Sequence, residues 1–485
     1  MMKLGKLLEK IEYTSDNFNA DIEIGGICYD SRKAKAGDIF VCIKGYQSDG
    51  HKYAKSAYNN GVRVFAVEKV IDLPEDVTMI YTKDTRKFLA HASAAYFDYP
   101  AEKLKTVAIT GTKGKTSVSY MLKTVFEEAG IKAGIMGTTG IYYGDAAIKT
   151  ENSTPESYEI HYHFAEMLKC GCDAVVIETT SQGFKLDRTE GISFDIGVFT
   201  NLSPDHIGGN EHVDFDEYLA CKKKLFTQCK RGIANVDSKH FADITEDAIC
   251  PVKTFGVSNT ADYMGINTRF GCNDKKMFTS FACKTKDEAF DVNINIPGMF
   301  SVYNALAAIS VAKELGIRNE VIIKALDETF VKGRMEIVPT KGGQTVIIDY
   351  AHNELSVQSL FDTIRLYSPK RITVVFGCGG NRSKLRRYAM GEIIGANADL
   401  SVITSDNPRY ERVEDIIEDI LIGTKKTSGD YKIIPDRKEA IGFAVNNAVP
   451  GEVVLIIGKG HQLYEEIEGI KHPFDEREIV KALNK

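Results

Sequence analysis

Short apolar runs that end in polar or glycine-rich turns recur along the chain and alternate with helical stretches. Runs that are apolar throughout are typical of strands in a parallel sheet covered by helices, because neither face of such a strand meets water. The strand candidates are residues 22–27, 38–43, 62–67, 105–110, 173–178, 196–201, 345–349, 371–377, 400–404 and 452–458. The pattern predicts an α/β protein.

Two breaks in this rhythm predict three α/β domains in series. One follows Pro100, just before the strand that begins near Lys105, and the other lies near residues 332–334. We expect a small N-terminal domain over residues 1–102, a central domain with a mostly parallel sheet over 103–334 and a Rossmann-like domain over 335–485. In the central domain, residues 240–295 carry shorter alternating segments, among them 277–282 and 290–296, which predict an antiparallel insertion. An alanine-rich helix is expected after Asn304.

The strand at residues 105–110 runs into a segment with two glycines, lysines and a hydroxyl pair. It reads Val107-Ala108-Ile109-Thr110-Gly111-Thr112-Lys113-Gly114-Lys115-Thr116-Ser117-Val118, and a helix is predicted over 118–129. Glycine lets backbone N–H groups turn towards an anion, and the helix N-terminus adds partial positive charge. In such loops the lysine, here Lys115, reaches the outer phosphates and the hydroxyl, here Thr116, holds Mg²⁺. The segment predicts nucleotide binding. An ordinary glycine-rich turn is the alternative, because Ile109 replaces the first glycine of the full motif.

Composition narrows the class of partner. The 61 basic and 67 acidic residues give a net charge of −6, which argues against nucleic acid or an anionic membrane as the main partner. The ten cysteines are scattered without zinc-site spacing, as expected for reduced thiols in a cytosol. The N-terminus lacks the apolar core of a signal peptide, and no apolar run approaches the ~18 residues of a membrane span. We therefore expect a soluble cytoplasmic protein.

Polar side chains follow the strands that come after the loop. Glu178 ends one strand candidate, Asn201 ends the next, and Asp205 and His206 come just after. Ligands of open α/β sheets bind outside the carboxyl ends of the strands, so we expect these residues to face the nucleotide loop. A carboxylate and an imidazole beside ATP suit a metal ion. The alternatives are a helix cap for Glu178 and a structural role for His206.

Basic residues mark two further places. Lys222, Lys223 and Lys224 lie on a predicted helix over residues 215–226, and composition alone favours a solvated face. In the last domain Arg382 and Arg409 follow strand ends, and residues 458–461 follow a third. Arginine donates two parallel hydrogen bonds to a carboxylate. The three loops predict a second pocket that suits an acidic substrate, with surface salt bridges as the alternative.

An ordered set of short motifs gives the chain a resemblance to a known family. The motifs are Asp30-Ser31-Arg32, Gly37-Asp38-Ile39-Phe40-Val41, Thr110-Gly111-Thr112-Lys113-Gly114-Lys115-Thr116, Ser153-Thr154-Pro155-Glu156, Thr200-Asn201-Leu202, Asp205-His206, Asn304-Ala305, Gly333-Arg334, Asp349-Tyr350-Ala351-His352, Asp406-Asn407-Pro408-Arg409 and Gly458-Lys459-Gly460-His461. Each is weak alone, but together they run nearly end to end. The chain resembles the Mur ligases, most closely their MurE branch of UDP-N-acetylmuramoyl-dipeptide:amino-acid ligases.

The resemblance implies an ATP-dependent amide ligase of peptidoglycan biosynthesis, with a UDP-binding first domain and an ATP-binding P-loop domain in the centre. In that family a substrate carboxylate attacks the γ-phosphate of ATP, and an amine displaces phosphate from the acyl phosphate. Lys115 would stabilise the transferring phosphoryl group by charge neutralisation. The implied ATP-binding residues are Gly111, Thr112, Lys113, Gly114, Lys115, Thr116, Ser117, Asn304, Arg334 and Asp349.

The same resemblance implies two Mg²⁺ sites. Thr116, Glu178 and His206 would serve the metal directly or through water. Lys222, four residues after Tyr218, matches the position of a carbamylated lysine that binds a second Mg²⁺. A carbamate turns an ammonium into an anion, so a lysine becomes a metal ligand. For Lys222 the resemblance replaces the solvated interpretation.

For the substrates, the resemblance implies UDP-MurNAc-L-Ala-D-Glu and an amino acid. We expect the protein to be a monomer. Ser31, Ser153, Thr154, Ser181 and Arg188 fall where the family binds the nucleotide-sugar dipeptide. Arg382, Asp406, Asn407, Arg409, Gly458 and Gln462 fall where it binds the amino acid. The Asp-Asn-Pro-Arg form at residues 406–409 is associated with meso-diaminopimelate, whose distal carboxylate Arg382 and Arg409 would hold.

Departures from the family pattern keep alternatives open. Gln462 stands where the diaminopimelate enzymes usually have a glutamate, and Asn381 replaces an aspartate, so lysine or another amino acid remains an alternative. The segments 179–183 and 207–212 also depart, beside the site for the UDP substrate. A folylpolyglutamate-type ligase and a non-catalytic nucleotide-binding protein are the further alternatives.

Overall fold

The structure is a computed structural model that describes residues 1–45, 48–204, 207–208, 212–273 and 276–483. It divides into two compact units, the first over residues 1–264 and 306–322 and the second over 265–305 and 323–485. Across the described part of the chain, every helix is too short or too polar to cross a membrane.

The first unit begins with a small parallel sheet. Its four strands lie in the order Gly26–Cys28, Asp38–Val41, Val64–Val67 and Thr78–Tyr81. The helix Thr85–Tyr96 follows and begins at Asp84, whose side chain accepts from the backbone N–H groups of Arg86 and Lys87. The shorter elements are the antiparallel pair Met2–Lys3 and Glu23–Ile24, the helices Leu4–Leu7 and Ala54–Asn59, and the 3₁₀ turns Gly50–Tyr53 and Pro100–Glu102. The strand predicted over residues 22–27 is therefore two strands that belong to different sheets.

A larger sheet forms the centre of the first unit. Its strands there lie in the order Ala146–Ile148, Gly140–Tyr143, Ala133–Gly137, Ala174–Glu178, Lys105–Thr110, Ile196–Phe199, Gly232–Asn235 and Val252–Gly256. The last six are parallel, and Gly140–Tyr143 and Ala146–Ile148 pair antiparallel. Glu178 pairs with Ile109, and Phe199 pairs with Thr110. The carboxyl ends of three strands therefore meet at the predicted nucleotide loop.

Helices pack over this sheet with apolar faces. They are Lys115–Glu128, Ser157–Lys169, Ser181–Lys185, Phe215–Lys223 with the 3₁₀ turn Lys224–Thr227, and Phe241–Thr245. One face of the sheet buries Ala108, Ile177 and Phe199 against side chains such as Phe164 and Phe226. Burying an aliphatic or aromatic side chain contributes about 1.5–3 kcal/mol, so this core fixes the strand ends that hold the loop.

The second unit contains a six-stranded sheet. Its strands lie in the order Glu336–Val338, Thr345–Asp349, Glu452–Ile457, Arg371–Phe376, Leu400–Ile403 and Asp430–Ile433, and all but the first are parallel to their neighbours. The helices of this sheet are Glu354–Arg365, Lys384–Asn397, Val413–Thr424, Arg437–Asn446 and Glu476–Leu483, and Tyr464–Ile467 forms a hairpin with Ile470–Pro473. These strands confirm the predicted Rossmann-like βα rhythm.

The region between residues 252 and 328 differs in part from expectation. The strands Lys276–Lys284 and Ala289–Ile294 pair antiparallel as predicted. Strand Val252–Gly256 instead lies parallel to Gly232–Asn235 and belongs to the larger sheet described above. Strand Tyr263–Asn273 follows it. The alanine-rich helix runs over Met299–Glu314, so Asn304 lies inside it rather than before it. Gly298 directly precedes the helix and has φ of 99°, a backbone conformation that favours glycine. Helix Asn319–Glu328 comes next.

Candidate active site

The predicted nucleotide loop joins strand Lys105–Thr110 to helix Lys115–Glu128 in the first unit. Gly111 has φ of 149°, and a Cβ there would overlap the Thr200 hydroxyl. Gly114 has φ of 90° at the N-cap of the helix. Both positions lie in backbone conformations that residues with a Cβ rarely adopt, so the loop requires glycine at each.

The end of the neighbouring strand fixes the shape of this loop. Asn201 accepts from the backbone N–H of Thr112 through its own carbonyl and from that of Lys113 through its side chain, both at 2.9 Å. The Asn201 amide and the Thr200 hydroxyl both donate to the Lys113 carbonyl, at 3.0 and 2.7 Å. Asn201 therefore faces the loop, as its place at the strand end predicts.

Two lysines converge on one carbonyl of the loop. Lys115 Nζ lies 2.7 Å from the Gly111 carbonyl oxygen, and Lys222 Nζ lies 3.1 Å from the same atom. Lys222 is only 2 % exposed, and its ammonium lies 4.8 Å from the centre of the Tyr218 ring. The solvated interpretation of Lys222 is therefore wrong, because this face of its helix packs inward. Two adjacent ammonium groups favour an anion such as a phosphate.

Tyr218 also contacts the loop through its hydroxyl. The Tyr218 oxygen lies 2.9 Å from the Thr112 hydroxyl, which in turn bonds to the backbone of Ser203. Tyr218 is fully buried, and its ring packs edge-on against His212 at 5.3 Å. One side chain therefore contacts both the nucleotide loop and Lys222. Nothing in the local sequence signals this role, because an aromatic residue on an apolar helix face is expected in any core.

Glu178 is buried at the end of its strand and is not a helix cap. One carboxylate oxygen accepts from the Thr138 hydroxyl at 2.9 Å and the other from the Thr138 backbone N–H at 3.2 Å. The Thr138 hydroxyl also lies 2.8 Å from the Ser153 hydroxyl. The cap of the next helix is Thr180 instead. A hydrogen-bonded chain thus links Glu178 to Ser153, which the sequence predicts to bind substrate.

The oxygen donors near the loop suit a hard cation such as Mg²⁺. Thr116 lies in the first turn of the loop helix and is 7 % exposed, and Glu178 ends the adjacent strand. Among the residues that the structure describes, no cluster of three or more His, Cys, Asp or Glu could hold a metal on its own. Asp205 and His206 lie outside the described residues.

Three of the predicted residues for the UDP substrate lie together. The Thr154 hydroxyl donates to the Glu178 carbonyl at 2.9 Å, and Arg188 donates to the Thr154 carbonyl at 2.8 Å. Arg188 is buried and is also paired with Glu156 at 2.8 Å. Ser153 precedes Thr154. In this cluster Arg188 contacts two residues of the 153–156 segment, Thr154 and Glu156.

The other two predicted residues lie on separate elements. Ser181 is the buried first residue of helix Ser181–Lys185. Ser31 lies in the N-terminal part of the unit, where its carbonyl accepts from the Asn60 side chain at 2.9 Å.

In the second unit, Asp349 ends a strand and organises the turn that follows. Its carboxylate accepts from the backbone N–H groups of Met335 and Ala351, each at 2.7 Å. Burial raises the pKa of Asp349, while Arg334 opposes that rise. The Arg334 guanidinium lies 4.9 Å from the centre of the Tyr350 ring. Asn304 is 8 % exposed in helix Met299–Glu314.

A pocket of about 140 Å³ lies at the strand ends of the six-stranded sheet. It brings together the three loops that the sequence predicts to converge. Its wall consists of Tyr350, His352, Gly377, Cys378, Gly379, Arg382, Ser383, Arg386, Arg387, Asp406, Asn407, Arg409, Gly458 and Gln462. All six predicted amino-acid-binding residues belong to this wall.

The arginines of the wall differ in their partners. Arg387 is buried and ion-paired with Glu411 and Asp419 at 2.8 and 2.9 Å, so it braces the wall. Arg409 donates to the Gly380 carbonyl at 2.6 Å and lies 3.3 Å from Glu466. Arg382 and Arg386 are exposed. Sequence reasoning missed Arg386, because a basic residue at the start of a helix carries no signal of its own.

Lys459 is a buried cation beneath this pocket and was also missed. Its Nζ donates to the Asn407 side chain at 3.0 Å and to the Tyr464 carbonyl at 2.9 Å, and lies 3.9 Å from Asp406. Burial lowers the pKa of Lys459, and Asp406 opposes that effect. Its place between two glycines in the motif at 458–461 is the signal that could have found it.

Comparison with known proteins places the chain in a family. Family models described as "Mur ligase family, catalytic domain", "Mur ligase middle domain" and "Mur ligase, glutamate ligase domain" match residues 23–97, 109–312 and 333–460. A relative from Caldanaerobacter subterraneus subsp. tengcongensis, named UDP-N-acetylmuramoyl-L-alanyl-D-glutamate–2,6-diaminopimelate ligase, is 39% identical, with 99% of each chain covered. The chain belongs to the Mur ligase family.

Other Mur ligases agree with this placement. A relative with the same name from Clostridium perfringens is 37% identical, again over 99% of each chain. A solved structure under that name has a TM-score of 0.73 and 26% identity, with 99% of each chain covered. A folylpolyglutamate synthase from Mycobacterium tuberculosis has a TM-score of 0.62 at 16% identity and covers 77% of this chain, which shows a shared fold alone.

The predicted family, ligase class and three-part α/β fold are thereby confirmed. The predicted domain boundaries after residues 102 and 334 stay predictions, as do the roles of the individual site residues. What the geometry adds is that the motifs at residues 110–116 and 200–202 meet at the nucleotide loop of the first unit, and those at 349–352, 406–409 and 458–461 meet at the arginine-lined pocket of the second.

Proposed function

We propose that the chain is an ATP-dependent ligase of peptidoglycan synthesis. It joins the D-Glu carboxylate of UDP-MurNAc-L-Ala-D-Glu to the amino group of meso-diaminopimelate. The observation that carries the proposal is the convergence of Lys115 and Lys222 on the nucleotide loop, next to the strand end that bears Glu178. The end-to-end likeness to ligases named for this reaction supports the same choice of substrates.

The loop binds the phosphates of ATP, and the Lys115 ammonium lies where negative charge accumulates during phosphoryl transfer. A carboxylate attacks the γ-phosphate poorly because both are anions. The Lys115 ammonium, held at the loop, reduces that repulsion without reorganising during the reaction. In the unmodified chain the Tyr218 ring and the Gly111 carbonyl both contact the Lys222 ammonium, which places this side chain beside the loop.

Mg²⁺ would be held by Thr116, Glu178 and His206, with carbamylated Lys222 serving a second ion. Bound there, the metal would neutralise charge on the phosphates. Thr138 holds the Glu178 carboxylate in one orientation through two hydrogen bonds, and the Ser153 hydroxyl adjoins this pair at 2.8 Å. The UDP substrate would bind along Ser153, Thr154 and Ser181, with its carboxylate directed towards the metal site beside Glu178.

The arginine-lined pocket binds the amino acid. Arg382 is exposed on its wall, and Arg409 is fixed by the Gly380 carbonyl and Glu466. A planar guanidinium matches the two oxygens of a carboxylate. The alternative substrate L-lysine has no distal carboxylate for such a group to bind. The pocket therefore favours a dicarboxylic amino acid such as meso-diaminopimelate.

ATP and a UDP-activated sugar are cytoplasmic metabolites, so the proposal includes a cytoplasmic enzyme. It also includes the predicted monomeric state, which sedimentation of the purified chain would check.

The test is release of phosphate from ATP by the purified protein. We expect release only when UDP-MurNAc-L-Ala-D-Glu and meso-diaminopimelate are both present, because the acyl phosphate forms on one substrate and is consumed by the other. Replacing the UDP substrate by a pteroyl glutamate tests the folylpolyglutamate alternative. Phosphate release that is indifferent to both substrates would reject the ligase. Preference for lysine over meso-diaminopimelate would reject the role given to Arg409.

A further inference from the structure

In the second unit, Lys459, Asn407 and Gln462 form a chain of hydrogen-bonded side chains that ends at the pocket. The buried end of this chain fixes which amide atoms accept hydrogen bonds and which donate them. Asn407 accepts through its side-chain oxygen from Lys459 Nζ at 3.0 Å and from the Glu466 backbone N–H at 2.9 Å. An ammonium and a backbone N–H can only donate. The atom between them must therefore be the amide oxygen of Asn407.

The rest of this hydrogen-bonded chain follows from this assignment. With its oxygen held, Asn407 has its NH₂ group left, and this group donates to the Gln462 side chain at 3.0 Å. The receiving atom on Gln462 is then its oxygen, which leaves the Gln462 NH₂ group for the pocket that this residue lines. Within the described residues, no protein oxygen accepts a hydrogen bond from that NH₂ group. The buried Lys459 thus sets the polarity of position 462.

We propose that Gln462 determines specificity by presenting a hydrogen-bond donor to the amino acid. The Gln462 side chain then binds a carboxylate of the substrate and makes no hydrogen bond to a second ammonium group. The substrate class is therefore an amino acid with two carboxylates, in which a second amino group is dispensable. This inference rests on the proposed function.

The charges around the pocket agree with that polarity. Arg382 and Arg386 are exposed on the wall, and Arg387 is neutralised by Glu411 and Asp419. Among the described wall residues, Asp406 carries the one carboxylate, and Lys459 lies 3.9 Å from it. The wall therefore offers donors and positive charge in excess, which suits a second carboxylate better than a second ammonium.

The test compares two substrates that differ in one group. 2-Aminopimelate has the chain length and both carboxylates of meso-diaminopimelate but lacks its second amino group. With the full-length enzyme, ATP and UDP-MurNAc-L-Ala-D-Glu, we expect kcat/KM for the two to agree within about threefold. In Gln462→Glu, Asn407 still donates to one carboxylate oxygen, and the other faces the substrate. A charge-assisted hydrogen bond to the second ammonium should then raise preference for meso-diaminopimelate at least about tenfold.

Two further variants make the result decisive. Asn446→Asp makes the same amide-to-carboxylate change at an exposed position outside the pocket wall and should leave the preference unchanged. Gln462→Met keeps the length but removes the donor, so KM should rise by a similar factor for both substrates. If the Gln462→Glu enzyme turns over neither substrate, the KM values of Gln462→Met for the two substrates test the inference.

If Gln462→Glu leaves the preference unchanged, the side chain at position 462 does not contact the distinguishing group, and the inference is overturned. If Gln462→Met loses activity only with meso-diaminopimelate, Gln462 binds the second ammonium group, and the inference is overturned as well. Absence of turnover with every amino acid in the wild type would instead reject the proposed function.

Discussion

Replacing Tyr218 by phenylalanine removes one hydroxyl from the contact between the nucleotide loop and the Lys222 helix. The hydroxyl lies 2.9 Å from that of Thr112, and Thr112 keeps its bonds to Ser203 when it is lost. The Thr112 hydroxyl thus keeps a partner, and the loss of one neutral hydrogen bond costs about 1 kcal/mol. We expect kcat/KM for ATP to fall about fivefold. The ring stays beneath Lys222, so carbamylation and the other substrates should be unaffected.

The assay is a titration of ATP at saturating concentrations of the other two substrates. Tyr218→Leu, which also removes the ring 4.8 Å from the Lys222 ammonium, should lose at least a further tenfold. Tyr143→Phe is the matched control, because it removes a buried hydroxyl 3.3 Å from His163 in the same unit, away from the loop. Equal ATP kinetics in Tyr218→Phe and Tyr143→Phe would show that the Tyr218 hydroxyl does not position the loop.

Three further predictions concern the loop, the buried lysine and the wall of the pocket. Lys222→Ala should abolish turnover, and added short carboxylic acids should partly restore it by standing in for the carbamate; unrestored activity would count against a carbamate. Gly111→Ala should lose ATP binding by calorimetry in a folded protein, because a Cβ there overlaps the Thr200 hydroxyl at φ of 149°. The hydrogen bond from Arg387 lowers the pKa of Glu411 to about 2, so this folded-state carboxyl stabilises the protein above its unfolded pKa of about 4.3 and loses that effect as the pH falls towards 2. Urea unfolding should thus show a shallower loss of stability in Glu411→Gln than in the wild type over that range, and parallel curves would contradict the pairing.

The strands and the nucleotide loop follow directly from the sequence because their signals are local. Strand Lys105–Thr110 begins at the expected residue and Thr345–Asp349 matches in full. In a parallel sheet the carboxyl ends of neighbouring strands share one edge, which is why the positions of Glu178 and Asn201 could be expected beside the loop. Local pattern failed where one apolar run serves two sheets, as in residues 22–27.

The contacts that tune the sites are long-range and leave no local pattern. Tyr218 meets Thr112 across 106 positions, Thr138 meets Glu178 across 40, and Lys459 meets Asn407 across 52. Only the packing of separate elements brings such pairs together. The burial of Lys222 has the same origin, since its helix turns Tyr218, Cys221 and Lys222 to the inside, while composition alone favours water for a lysine.

The most direct test of the account follows the oxygen atoms of the substrate carboxylate. With both D-Glu carboxylate oxygens labelled with ¹⁸O, attack on the γ-phosphate and later displacement by the amine leave one labelled oxygen in the released phosphate. We expect the phosphate released with the amide product to carry one ¹⁸O. Unlabelled phosphate, with amide formed at the same rate, would show that the carboxylate is not activated by phosphoryl transfer and would contradict the roles given to Lys115 and Lys222.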